Sequence, residues 1–253
     1  MDGIVAALSE QHAELSALLS GLDEPAWTTP TPSCPGWTIA DVVVHLAQTD
    51  ELASASARGS FDDGFSELFR GDGGTNNVDE AAEMMVVHER GQTGATLLER
   101  WRTNADEMRQ VFAVTDPHAR VQWVSGELSA RTLATTRLSE AWIHTGDVAE
   151  ALGVDQEPPA RLWHIARLAW RTVPYGFARA GREAPGPVAF ELRGPNGETW
   201  DFVPDGVGPS TVIRGDAIDL VRVAAQRAAP ADTSLGGEGP DVDAVLELVR
   251  TYA

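Results

Sequence analysis

Cysteine is almost missing from this 253-residue chain. Cys34 is the only one, which excludes an intrachain disulfide framework and fits a reducing compartment. Long apolar runs are missing too: nothing approaches the roughly 20 residues that a membrane span requires, so no membrane partner is expected. The first residues, MDGIVAALSEQHAEL, have neither a basic start nor an uninterrupted apolar core, so they do not read as a signal peptide. The expected location is the cytoplasm. Cations are scarce, with 19 Lys and Arg against 38 Asp and Glu, a net charge of −19 and no basic run. A phosphate-binding surface needs clustered cations, so no nucleic-acid partner is expected, and the acidity serves solubility instead. There is no HExxH, no CxxC and no internal repeat.

What is present reads as a soluble globular protein. Apolar residues make up 43% and charged residues 23%, and the length suits one large domain or two smaller ones. A helical stripe runs from Asp2 to Leu22 through Ile4, Val5, Leu8, Leu15, Leu18, Leu19 and Leu22. Pro25, Pro30, Pro32 and Pro35 then impose a stiff loop. Thr38 with Asp41 resembles a capping box and opens a second helix to about Ala57. Phe61 to Asn77 is Gly- and Asp-rich, a loop with one short helical piece. Helix is predicted from Asp79 to about Thr115, interrupted near Gly91–Gly94, then from Ser129 to Leu152 and from Arg161 to Ala180. After Gly181 the texture changes. VAFELRG and ETWDFVP alternate around Pro-Asn-Gly, a hairpin signal, and Ala217–Ala228 and Asp241–Tyr252 return to helical patterning. The expectation is a helical domain over 1–180 followed by a small α+β domain over 181–253.

Three residues carry the chemistry. Glu140 and His144, in RLSEAWIHTGDV, are four apart and share one helix face; His45, in TIADVVVHLAQTD, lies far earlier and needs the fold to bring it close. Two imidazoles and a carboxylate leave a metal ion with open positions for water or substrate. Spacing alone leaves two plainer alternatives: an exposed helix pair for Glu140 and His144, and a satisfied core histidine for His45.

Other candidates are weaker. His88, in AAEMMVVHERG, is a structural histidine or an acid–base group. Arg222 and Arg227, in LVRVAAQRAAPADT, are solvated helix arginines or a clamp for a carboxylate. Trp101, Trp123, Trp163 and Trp170 are core residues or pocket lining. Trp142 should point away from the ligands. His12, His118 and His164 read as surface or core positions. Cys34 sits in a Pro-rich turn with no base in sequence reach, which argues against a nucleophile.

The stretch CPGWTIADVVVHL, Cys34 to Leu46, resembles the signature of the mycothiol-dependent maleylpyruvate isomerase family within the DinB-like superfamily. RLSEAWIHTGDVAEALG, Arg137 to Gly153, is similar to that family's fourth-helix motif, and GPNGETWDFVPDG, AAQRAAPADTSL and GPDVDAVLEL resemble the tail of its actinobacterial metal-binding branch. The resemblance implies a mainly α fold: a DinB-like four-helix bundle followed by a small α+β C-terminal domain. It implies a divalent metal held by His45, Glu140 and His144. Zinc suits that donor set, and nickel or iron would accept the same atoms. It also implies mycothiol as cosubstrate, bound as thiolate and added to a small electrophile in cis–trans isomerisation or S-transfer. The family motif often reads His-Gly-Gln-Asp-Val, whereas this chain has His144-Thr145-Gly146-Asp147-Val148, which alters the packing behind His144. Asp147 is the expected acceptor for a ligand imidazole. Two rival classes stay open at this point: a thiol-independent Lewis-acid isomerase, cyclase or lyase, and a non-enzymatic metal-dependent binding protein. The expected partner is a small molecule, and the chain is expected to be a monomer or homodimer.

Overall fold

A computed structural model describes residues 1–68 and 78–251. The chain divides into two compact units after Gln156. The first unit runs α1 (Asp2–Ser20), α2 (Ile39–Ala57), α3 (Phe61–Leu68), α4 (Val78–His88), α5 (Gly94–Val114), β1 (Arg120–Trp123), β2 (Gly126–Ser129) and α6 (Ala130–Leu152). The four long helices form a bundle in which α1 and α2 each pack against both α5 and α6. Leu15, Leu19, Val43, Leu46, Leu97 and Trp101 are among its fully buried core residues.

Local chemistry sets the ends of the site-bearing helices. Thr38 Oγ1 accepts from Asp41 N at 3.3 Å while Asp41 Oδ2 accepts from Thr38 N at 2.9 Å, the expected capping box at the start of α2. Ser129 caps α6 by accepting from Thr132 N, and Gly153 ends it in the left-handed region at φ 66°. The expected interruption after α4 is present, with Gly91 at φ 97° and Thr93 capping α5. The Gly- and Asp-rich stretch gives α3; its remainder, 69–77, lies outside the described residues.

Gly94 has a packing reason of its own. A Cβ there would collide with the Trp27 indole, a buried ring of the same core. Gly94→Ala is therefore expected to cost about 1–3 kcal/mol, as overpacking does, although alanine is the better helix former. A urea midpoint equal to or above that of the wild type would show that Trp27 moves aside freely.

The hairpin β1–β2 went unanticipated. Arg120 pairs with Ser129 and Trp123 with Gly126, whose φ of 108° closes the turn. Four-residue strands leave little alternation to read.

The second unit holds α7 (Leu162–Arg171), α8 (Val173–Arg179), β3 (Val188–Arg193), β4 (Thr199–Phe202), β5 (Thr211–Asp216), α9 (Ala217–Ala224), β6 (Gly236–Glu238) and α10 (Val242–Leu248). The sheet order is β4-β3-β5-β6, with β3 and β5 parallel and the outer pairs antiparallel. Gly197, at φ 82°, closes the expected Pro-Asn-Gly hairpin between β3 and β4. The division expected at 180 falls instead after Gln156, because α7 buries Leu162, Ile165 and Leu168 and packs on α9, β3 and β4, while α8 packs on α10. The single helix expected over Arg161–Ala180 is two: Pro174, in the first turn of α8, lacks the amide hydrogen that a continuous helix needs. The last helix ends at Leu248, short of Tyr252, which lies outside the described residues. Among the described residues no helix is long and apolar enough to cross a membrane.

Candidate metal centre

α2 and α6 pack together and bring His45 against Glu140 and His144. Both histidines present Nε2 to one carboxylate oxygen: His45 and His144 each stand 3.6 Å from Glu140 Oε2. The two imidazoles meet edge to face, with centroids 5.1 Å apart. The expected trio is thus one cluster, its donor atoms within 4.8 Å of one another. Both contacts are too long for hydrogen bonds. A tetrahedral zinc with bonds of about 2.0–2.2 Å would set its ligand atoms roughly 3.3–3.6 Å apart, so the spacing fits a divalent cation better than a mutual hydrogen-bond network.

Charge at Glu140 and His45 agrees with that fit. Burial alone would raise the Glu140 carboxyl, but His144, His45 and the Arg137 charge override it and hold it well below the usual carboxylate range. Burial dominates at His45 and pushes its pKa down, which keeps the Nε2 lone pair available. Burial also opposes charge on His144, yet Asp147, Cys34 and Glu140 outweigh it and hold that imidazole well above the ordinary histidine value. A cation at Nε2 would displace the proton that these neighbours favour on His144.

Asp147 takes the expected place behind His144: His144 Nδ1 lies 2.9 Å from Asp147 Oδ2, both residues being buried. Cys34 joins them, its thiol donating to the same Asp147 oxygen at 3.2 Å. Sequence spacing gave no sign of this, since the two residues are 113 apart. A tight loop delivers the thiol, with Cys34 N donating to Thr31 O, Trp37 N to Cys34 O and Gly36 at φ 88°. The same loop lays Trp37 against both imidazoles, its ring 5.3 Å from His45 and 6.4 Å from His144, the latter nearly parallel. Trp37 Nε1 donates to Glu83 on α4, and Glu83 faces Arg90, which donates to Asp41 of the capping box at 2.8 Å. Trp37 thus forms one wall of the cluster.

Under the cluster lies a buried ion pair. Arg137, one turn before Glu140, stands 3.3 Å from Asp50, with exposures of 2% and 1%. Its Nη2 also donates to Thr49 Oγ1 at 2.7 Å, and Thr49 donates to the carbonyl of His45.

The remaining candidates lie elsewhere. His88 is exposed at the end of α4 and does not join the cluster. Arg222 is exposed on α9, and Arg227, half-buried just after it, donates to Ala225 O at 3.2 Å; both belong to the second unit. Trp101 and Trp123 are core residues, Trp142 is half-buried, Trp170 donates to Val188 O, and Trp163 is 39% exposed. His12 is buried edge-on to Trp101, His118 is exposed, and His164 is half-buried against Trp163.

Residues 8–149 match the family described as the mycothiol maleylpyruvate isomerase N-terminal domain. Two uncharacterised proteins of Mycobacterium tuberculosis, from strains CDC 1551 / Oshkosh and ATCC 25618 / H37Rv, are each 33% identical over 98% of this chain and 95% of their own length. Crystal structures of the mycothiol-dependent maleylpyruvate isomerase and of a mutant of it share the fold, with TM-scores of 0.60 and 0.62 at 17% identity, covering 95% of both chains.

Proposed function

This chain belongs to the mycothiol maleylpyruvate isomerase family, and on that premise we propose that it is a metal-dependent enzyme that uses mycothiol to isomerise, or to form a thioether with, a small electrophilic metabolite. The observation that carries the metal part of the proposal is the convergence of His45, Glu140 and His144 from two helices on one point. Zinc suits the two nitrogens and one oxygen, and nickel or iron would accept them. A divalent cation held there would lower the pKa of a thiol and polarise a substrate carbonyl.

The chain's own groups have distinct tasks in this reading. His45, kept neutral by burial, offers its Nε2 lone pair, and Glu140 supplies the negative charge. Asp147 accepts from His144 Nδ1, which fixes the tautomer that leaves Nε2 free. Trp37, tied to Glu83, covers one flank of both imidazoles with an apolar face and keeps water from it.

The test is a reaction of zinc-loaded protein with maleylpyruvate, a cis-unsaturated keto acid, in the presence of mycothiol. Conversion to the trans isomer with the thiol recovered is the expected result, while thiol consumed one for one with an electrophile would assign the transferase branch. Turnover undiminished without mycothiol, or after exhaustive chelation, would overturn the proposal.

A further inference from the structure

His144 uses its two ring nitrogens on two different groups of donors. Nε2 faces Glu140 and His45, whereas Nδ1 faces Asp147, whose Oδ2 also receives the Cys34 thiol. Sulfur, nitrogen and oxygen thus converge on the far side of the ring, their donor atoms within 4.8 Å of one another. Asp147 and His144 are buried, while Cys34 is half-buried in the loop before α2, so the thiol is the member open to exchange. The two exchangeable hydrogens at this junction, on Sγ and Nδ1, both point at one carboxylate oxygen.

We propose that Cys34 Sγ, His144 Nδ1 and Asp147 Oδ2 form a second cation site, selective for soft thiophilic divalent ions and alternative to the His45–Glu140–His144 site. Thiolate selects soft ions, whereas the first site offers nitrogen and oxygen only. Occupancy is alternative because His144 in its neutral form has one lone pair. When Nε2 coordinates, the Nδ1 hydrogen is held by Asp147. When Nδ1 coordinates, the hydrogen moves to Nε2, which faces the Glu140 carboxylate at 3.6 Å. Binding at the second site releases the thiol proton to solvent and adds no other reactant. The inference rests on the assignment of His45, Glu140 and His144 as metal ligands.

Cadmium is the probe, and the single cysteine makes the readout unambiguous, because any sulfur-to-cadmium charge-transfer band in the ultraviolet belongs to Cys34. Titrating the zinc-loaded protein with cadmium chloride is expected to produce that band, saturating at one cadmium per chain, and to release one zinc to a chromogenic chelator. Cys34→Ser and Cys34→Ala should both lose the band and lose cadmium affinity about tenfold or more beyond any change in their zinc affinity, with an unchanged circular dichroism spectrum reporting an intact fold. Three results would overturn the inference: no band in the wild type, a full band with zinc retained, or unchanged cadmium affinity in both Cys34 variants. A wild type that binds no zinc at all would instead remove the first assignment, and this inference with it.

Discussion

His144→Ala is expected to lower bound metal from about one ion per chain to a level indistinguishable from buffer, because a three-ligand site that loses one imidazole keeps only two protein donors. The loss is expected to be local. Alanine is the best helix former, and His144 lies in the middle of α6, so far-ultraviolet circular dichroism should not change. The same variant also removes the partner of Asp147 and Cys34. Asp147→Asn, which keeps all three ligands, is the graded comparison: its metal affinity should fall by about 10–100-fold rather than vanish. Mass-spectrometric metal content after zinc incubation distinguishes the two. Full occupancy in His144→Ala would mean that the ion sits elsewhere and that Glu140 and His144 are a helix pair only.

Arg137→Met should cost about 3–5 kcal/mol, the usual result of leaving one half of a buried ion pair without its partner. Asp50 is 1% exposed, and its Oδ2 already has no hydrogen-bond partner, so removing the guanidinium leaves an anion in an apolar interior. Burial raises the Asp50 carboxyl to about 6, against the opposing charge of Arg137. Its folded-state pKa therefore lies above the unfolded value of 3.8. The associated stability is fully present below that unfolded value and is lost as pH rises through the folded one. Without Arg137 the folded pKa climbs further, so the loss at pH 8 exceeds that at pH 5, where the carboxyl takes up a proton. Urea unfolding of wild type and variant at both pH values measures this. Equal losses at the two pH values, or a loss below about 1 kcal/mol, would mean that Asp50 is solvated or partnered in another way. Replacing both residues, Arg137→Met with Asp50→Leu, should recover most of the stability, since an apolar pair of similar volume often matches a buried salt bridge.

The buried pair also bears on the site. Arg137 ties α6 to α2 through Thr49, which is bonded to the carbonyl of His45, and its charge helps to keep Glu140 ionised. A destabilised Arg137 variant should therefore also bind metal less tightly.

What the sequence determined by itself was local. The pairing of Glu140 with His144 follows from helical spacing, the start of α2 from Thr38 and Asp41, the break before α5 from Gly91, and the β3–β4 hairpin from Pro-Asn-Gly. Each is written in residues a few positions apart, so chain geometry alone enforces it. The exclusions drawn from one cysteine and a net charge of −19 belong there too, because composition needs no fold. The tertiary structure decided whatever joins segments distant along the chain. It set His45 beside Glu140, Cys34 on Asp147, Trp37 over both imidazoles, and Arg137 against Asp50, and it drew α7 and α8 into the second unit. Those partners meet because the α2–α6 register and the loop before α2 place them together, and register is fixed by packing summed over whole helix faces. No local spacing encodes it.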